Sequence, residues 1–245
     1  MGAAMKVFII AGEPSGDKLG AALMHGLSSL TSVDFQGVGG PLMVDQGLTS
    51  QFPMEELSVM GLAEILPKYR HLKRRIRETA EAILVAKPDV LITIDSPDFC
   101  LRVARLVKAG SNIRTVHYVA PTVWAWRPKR AAKMAQVIDH VLALFPFEPP
   151  LMQAAGMDCD FVGHPVTSQP PVTQEEIDAF KQQRGMIDHP ALVILPGSRR
   201  SEIARLGATF DTAYEKVAAT FGTVLVPTLP HLVDAVEAAL PLRGA

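Results

Sequence analysis

Short apolar runs rich in Val and Ile alternate along the chain with longer stretches of mixed polarity, the rhythm of buried parallel strands joined by crossover helices. The runs fall at residues 7–11, 34–37, 90–94, 114–119, 140–143 and 159–162, and helix-length segments cover 18–30, 70–86, 101–109 and 129–136. Together they predict one doubly wound α/β domain, Rossmann-like, over residues 1–166. Gly163-His164-Pro165 and two prolines between Thr167 and Thr173 precede a charged helix at 174–184, so residues 167–190 read as a linker and connecting helix. From 191 the pattern begins afresh, with a strand at 191–195, a Gly turn at 196–199, a helix from Ser201, a strand at 223–226 and a last helix. Residues 191–245 are far fewer than the roughly 100–150 usual for such a domain, so they read as the incomplete start of a second one.

Composition narrows the class. With 48% hydrophobic and 20% charged residues the chain is globular, and a net charge of -1 excludes a protein that coats nucleic acid. Cys100 and Cys159 form no CxxC pair, which points to a reducing compartment rather than a disulfide framework or a structural zinc. The first six residues lead directly into a strand without a signal peptide, and Lys6 stands where an N-myristoylation motif has Ser or Thr. No apolar run approaches the ~18 residues of a membrane span, so any membrane contact is expected to be peripheral.

Several segments can carry chemistry. Gly12-Glu13-Pro14-Ser15-Gly16-Asp17 turns from the first strand into the first helix, where free N–H groups favour an anion; the same turn is equally satisfied with Ser15 or Asp17 as a cap. Asp95 and Asp98 lie just past a buried strand, where ligand crevices of open α/β sheets form. Asp95 reads as a general base for a sugar hydroxyl and Asp98 as the cap of the next helix. Both tryptophans, Trp124 and Trp126, precede Arg127, Lys129 and Arg130, either lining a sugar or acyl pocket or closing a core. His117 reads as a core histidine; so does His164, unless its place at the boundary puts it in a cleft. Ser198 and Arg199, in Pro196-Gly197-Ser198-Arg199, suit a diphosphate, while Glu202 offers Arg199 an ion pair instead. Finally, Leu62, Ile65, Leu66, Tyr69, Leu72 and Ile76 keep helical spacing among six Lys and Arg between 68 and 77, with Pro67 expected to break or start the helix. That is the pattern of an interfacial segment or of an ordinary core-facing helix.

Taken together, the segments 11–17, 59–61, 94–99, 117–119, 123–127, 146–148, 163–165 and 195–199 resemble the lipid-A-disaccharide synthase family, in order and spacing over nearly the whole chain. The resemblance implies a GT-B glycosyltransferase that joins UDP-2,3-diacylglucosamine to 2,3-diacylglucosamine 1-phosphate with inversion, releasing UDP. It implies Asp95 as the base, Arg199 on the nucleotide side, Glu13 in the cleft, and residues 62–72 as a membrane patch. It further implies a cytoplasmic protein peripheral on the inner membrane, with lipid-linked glucosamine substrates, no cofactor beyond the UDP-sugar, no metal and no nucleic acid. Asp95 and Arg199 are expected to face each other across a gap, one activating the acceptor and the other steadying departing UDP. Pro14 departs from the small or hydroxyl residue usual there. The family runs well beyond 245 residues, so the chain as given is expected to hold acceptor and membrane but to transfer sugar poorly. Two other readings stay open: a sugar-nucleotide epimerase of GT-B-like fold, which has no need of the apolar basic segment, and a non-catalytic lipid-binding fragment.

Overall fold

A computed structural model describes the backbone of residues 3–57, 62–168, 170–186 and 190–242, with the side chains of 62–69 and 168 outside that description. The chain divides into two compact units, Met1–Gln169 and Pro170–Ala245.

Among the described residues of the first unit, seven strands form a parallel sheet: β1 (Met5–Ala11), β2 (Val33–Val38), β3 (Thr49–Ser50), β4 (Val90–Ile94), β5 (Arg114–Tyr118), β6 (His140–Ala143) and β7 (Asp158–Phe161). Their order is β3-β2-β1-β4-β5-β6-β7. The chain therefore builds outward from β1 to one edge, then returns at β4 to build toward the other, and the reversal leaves a crevice between the carboxyl ends of β1 and β4. Alternation along the strands feeds two cores. Val7, Ile9, Ile92 and Ile94 pack with Leu19 and Met24 of α1 (Pro14–Leu30) and Met43 of α2 (Pro41–Asp45). Phe8, Ile10 and Leu91 pack against α3 (Leu62–Ala86), α4 (Pro97–Gly110), α5 (Lys129–Met134) and α6 (Pro149–Gln153).

The helices start earlier than the apolar pattern indicates. α1 and α4 open on Pro14 and Pro97, whose fixed φ suits the first helical position and whose missing N–H has no partner to lose there. α3 runs from Leu62 straight through Pro67, contrary to the expected break. One missing N–H near its start is outweighed downstream, where Ile76, Ala80 and Ile83 bury one face against the sheet. The short elements α2, β3 and α6 have no counterpart in the sequence reading, being too brief to show a period.

The second unit, among its described residues, holds α7 (Gln174–Gln183), β8 (Ala191–Val193), α8 (Arg200–Glu215), β9 (Thr223–Leu225) and α9 (Val233–Ala239). Thr173 and Glu176 form a capping box that starts α7. β8 and β9 pair in parallel, and Ile194, Ile203, Tyr214, Leu232, Val236 and Leu240 form the core. Gly207 lets α8 and α9 touch: a Cβ there would lie 2.6 Å from the Ala239 carbonyl oxygen.

Candidate functional site

At the crevice, Ala11 and Ile94 are neighbours in register at the ends of β1 and β4. The chain leaves β1 through Gly12, so close to the β4 exit that a Cβ would meet Ser96 Oγ at 2.6 Å. Beyond β4, Asp95 and Ser96 take left-handed backbone conformations with φ of 48° and 41°. Asp tolerates that region because its short side chain bonds locally, yet two successive non-glycine residues there store strain of about 1–3 kcal/mol each. The Asp95 N–H donates to the Tyr118 carbonyl oxygen at 3.1 Å, which ties the turn to β5. Asp95 is half-buried, so its carboxylate sits at the sheet mouth with solvent access. The N-cap of α4 is Ser96; Asp98, expected as the cap, lies exposed in the first turn, where its charge favours the helix dipole.

Across the crevice, Glu13 is the half-buried N-cap of α1, Ser15 is exposed and Gly16 is buried against Ala11 and Ile94. Asp17 corrects the sequence reading. Only 2% exposed, its carboxylate accepts from the backbone N–H groups of Gly40, Leu42 and Met43 at 3.0, 3.1 and 3.0 Å. It thus caps α2 from a distance and is not presented to a ligand; nor does it cap its own helix.

The tryptophan loop does not close a core. Trp124 and Trp126 are 53% and 55% exposed. Trp124 meets Phe147 edge-on at 5.4 Å between centroids, Phe145 and Phe147 stack at 5.6 Å, and Arg127 lies 4.2 Å over Trp126. The buried Glu148 accepts from the Phe145 N–H at 3.0 Å and so fixes the two phenylalanines in place. His117 is a core histidine as expected: its Nδ1 lies 2.7 Å from Thr93 Oγ1, and burial, helped by Arg130, lowers its pKa to about 4. The imidazole is neutral at pH 7.

The carboxyl ends of β5, β6 and β7 and one side of α1 border an open cavity of about 480 Å³, and its wall residue Tyr118 ends the strand beside β4, which Asp95 follows. Ala22, Leu23, Leu142, Val162 and Pro165 supply apolar walls, and Lys18, Tyr118, His164 and Thr167 supply polar groups. His164 is thereby placed at a cavity within the first unit. Lys18 and Tyr118 escaped the sequence reading; the only signal was Lys18 and Ala22 following Ser15 at helical spacing on α1.

In the second unit, Gly197 has φ 114°, and the turn folds around Glu202. The Ser198 N–H donates to Glu202 Oε2 at 3.0 Å, and Arg199 Nη1 donates to Oε1 at 3.0 Å. The Ser198 N–H, foremost, and Arg199 hold that carboxyl below the usual range. A phosphate at this turn meets a carboxylate already in place.

The motif at 59–61 and, of the expected membrane segment, the side chains of Leu62, Ile65, Leu66 and Tyr69 lie outside the described residues. Leu72 is half-buried against the first unit's core. Among the cations whose side chains are described, Arg75 is turned inward: it binds Glu56 through Nε at 2.7 Å and Nη2 at 2.9 Å, and lies 4.4 Å over the Phe52 ring. Arg70, Lys73, Arg74 and Arg77 are exposed. Among the described residues, no helix is long and apolar enough to cross a membrane, and no three His, Cys, Asp or Glu are gathered as metal ligands.

Residues 7–238 match the family model described as lipid-A-disaccharide synthetase. The chain is 61% identical over 238 residues to the lipid-A-disaccharide synthase of Ruegeria pomeroyi, covering 96% of this chain and 59% of that protein. With the Rhodospirillum centenum protein of the same name it shares 48% identity over 240 residues, covering 96% and 60%. The chain therefore spans about 60% of the length of these relatives. Among solved structures it is similar in fold to the UDP-GlcNAc 2-epimerase of Neisseria meningitidis, with a TM-score of 0.62 at 12% identity over 97% of this chain and 69% of that one. The Methanocaldococcus jannaschii UDP-GlcNAc 2-epimerase gives a TM-score of 0.61 at 16% identity, over 97% and 69%.

Proposed function

Since the chain belongs to the lipid-A-disaccharide synthase family, we propose that it carries the acceptor half of an inverting hexosyltransferase. The reaction joins UDP-2,3-diacylglucosamine to 2,3-diacylglucosamine 1-phosphate at the cytoplasmic face of the inner membrane. The observation that supports this most is Asp95 itself, a half-buried carboxylate in a strained turn at the mouth of the sheet, where the strand order reverses. Strain of this kind persists only where surrounding structure enforces it, and it clusters where a side chain must be aimed.

In the proposed mechanism Asp95 accepts the proton of the acceptor's attacking hydroxyl. That oxygen forms the new bond to the anomeric carbon as the bond to the UDP oxygen breaks, and UDP departs on the opposite face. Arg199 and the Ser198 N–H serve the departing diphosphate by charge and hydrogen bonding, displacing Glu202 as they do so. Glu13 and Ser15 border the crevice, and Trp124 and Arg127 offer an aromatic and cationic face to a lipid-linked sugar. Exposed Arg70, Lys73, Arg74 and Arg77 draw the protein to an anionic lipid surface, each contributing about 1 kcal/mol at best.

Asp95→Asn in a full-length relative, with both substrates supplied and UDP release followed, is expected to reduce turnover about 10²–10⁴-fold with unchanged folding. Turnover that survives this change removes Asp95 from the mechanism.

A further inference from the structure

Resting on the reading of an acylated sugar phosphate as acceptor, we propose that the cavity at the carboxyl ends of β5, β6 and β7 seats the acceptor's phosphate and the first part of one acyl chain. The polar groups of the cavity are donors. Lys18 brings an ammonium, Tyr118 a phenol that burial keeps protonated, and His164 a ring N–H. The tautomer of His164 follows from its partner: Nδ1 accepts from the Val166 N–H at 3.1 Å, so a neutral ring carries its proton on Nε2. The Thr167 hydroxyl donates to the His164 carbonyl oxygen at 2.8 Å and steadies that loop. Among the described residues no carboxylate lines the cavity, although the chain has 25 acidic residues. A site with several donors and no acid is complementary to an anion.

The apolar walls decide what kind of anion. A bare phosphate has no use for Leu23, Leu142 and Val162, and about 480 Å³ falls within the range of cavities that enclose much larger ligands. Charge at one end and hydrocarbon at the other describe a phosphate attached to an alkyl chain. Position supports the assignment to the acceptor. Tyr118, a wall of the cavity, takes the hydrogen bond of the Asp95 N–H through its own carbonyl, so a ligand anchored here starts one strand away from the proposed base. Lys18 would thus be a positioning residue that fixes the sugar for Asp95.

Calorimetry on the 1–245 chain tests this, with dodecyl phosphate below its micelle concentration, inorganic phosphate and the neutral detergent dodecyl maltoside as probes. Dodecyl phosphate is expected to bind one-to-one, at least tenfold tighter than either of the others. Lys18→Ala should weaken it about tenfold, Lys18→Arg should largely restore it, and Ala22→Asp, at an exposed helix position on the cavity wall, should weaken it while the circular dichroism melt stays unchanged. Equal binding of inorganic phosphate overturns the hydrocarbon part, equal binding of the neutral detergent overturns the anionic part, and indifference to Lys18→Ala overturns the site. The measurement contains no sugar donor, so its failure is separate from a failure of the Asp95 assignment, which only UDP release reads.

Discussion

Two turns in this protein share one design in sequence and differ in what their acids do. Each follows a strand, passes through glycine, carries a serine and opens a helix with an acid in its first turn: Gly12 to Asp17 before α1, and Gly197 to Glu202 before α8. At the first, the acid reaches away. Asp17 is buried and gives both oxygens to three N–H groups of another helix's start. At the second, the acid folds back, and Glu202 occupies the Ser198 N–H and Arg199 of its own turn. A motif of this type therefore sets where an anion is favoured, while tertiary context decides whether a ligand or the protein's own carboxylate supplies it.

The largest expected effect breaks the first turn. Asp17→Ala leaves the N–H groups of Gly40, Leu42 and Met43 without their acceptor, and each buried unsatisfied donor costs about 1–3 kcal/mol. A loss of about 3 kcal/mol or more is expected in urea unfolding of the first unit. Asp17→Asn keeps one carbonyl oxygen, so its loss should be clearly smaller. An Asp17→Ala protein as stable as the parent would mean the carboxylate is not a structural cap, and would return it to the ligand site.

How the sequence came to misplace Asp17 is instructive. The strand and helix rhythm was legible because both faces of the sheet are buried, and hydrophobic periodicity records burial directly. The place of Asp95 at the sheet mouth was legible because it follows a buried apolar strand, and His117 because a lone histidine within a strand is usually a core residue. Asp17 was not, since its partners at Gly40 to Met43 belong to a five-residue helix that has no period to read. The cavity was hidden for a related reason: Lys18, Tyr118 and His164 come together only through the sheet order, and no local spacing links them. The exposed stacking of Phe145 and Phe147 likewise depends on Glu148 being buried.

An intermediate effect separates the two glycines. At Gly197, with φ 114°, an added Cβ would also approach Glu202 Oε2 to 2.7 Å. Gly197→Ala should therefore cost about 1–3 kcal/mol from backbone strain, with a matching drop in the second unit's melting. At Gly12 the backbone is not in the left-handed region, and the nearest obstacle is the movable Ser96 hydroxyl at 2.6 Å, with the Cβ atoms of Ser96 and Leu57 behind it at 3.1 and 3.3 Å. Gly12→Ala should consequently be tolerated better in the melt, with the displacement passed to the Asp95–Ser96 turn. Equal losses at the two positions would mean that close approach, not φ, governs both.

The smallest effect concerns the occupied turn itself. Glu202 is half-buried, but the Ser198 N–H and Arg199 that it holds can turn to water, so its removal should cost the melt far less than that of Asp17. Its influence falls on ligands. Because its carboxyl is held below the usual range by the Ser198 N–H and by Arg199, it stays charged at neutral pH and repels any phosphate approaching the same donors. Glu202→Gln removes the charge while keeping an oxygen that can accept, and pyrophosphate affinity at pH 7 is expected to rise a few-fold by calorimetry. The sign of the pH dependence follows: a depressed carboxyl pKa means the contact is intact above the ordinary carboxylate range and is lost only as pH falls through the lowered value. The gain from Glu202→Gln should therefore hold from pH 6 to 8 and shrink in more acidic solution, where the parent carboxyl takes up its own proton. A pyrophosphate affinity that falls on Glu202→Gln would show the carboxylate to be organising Arg199 for the ligand and not competing with it.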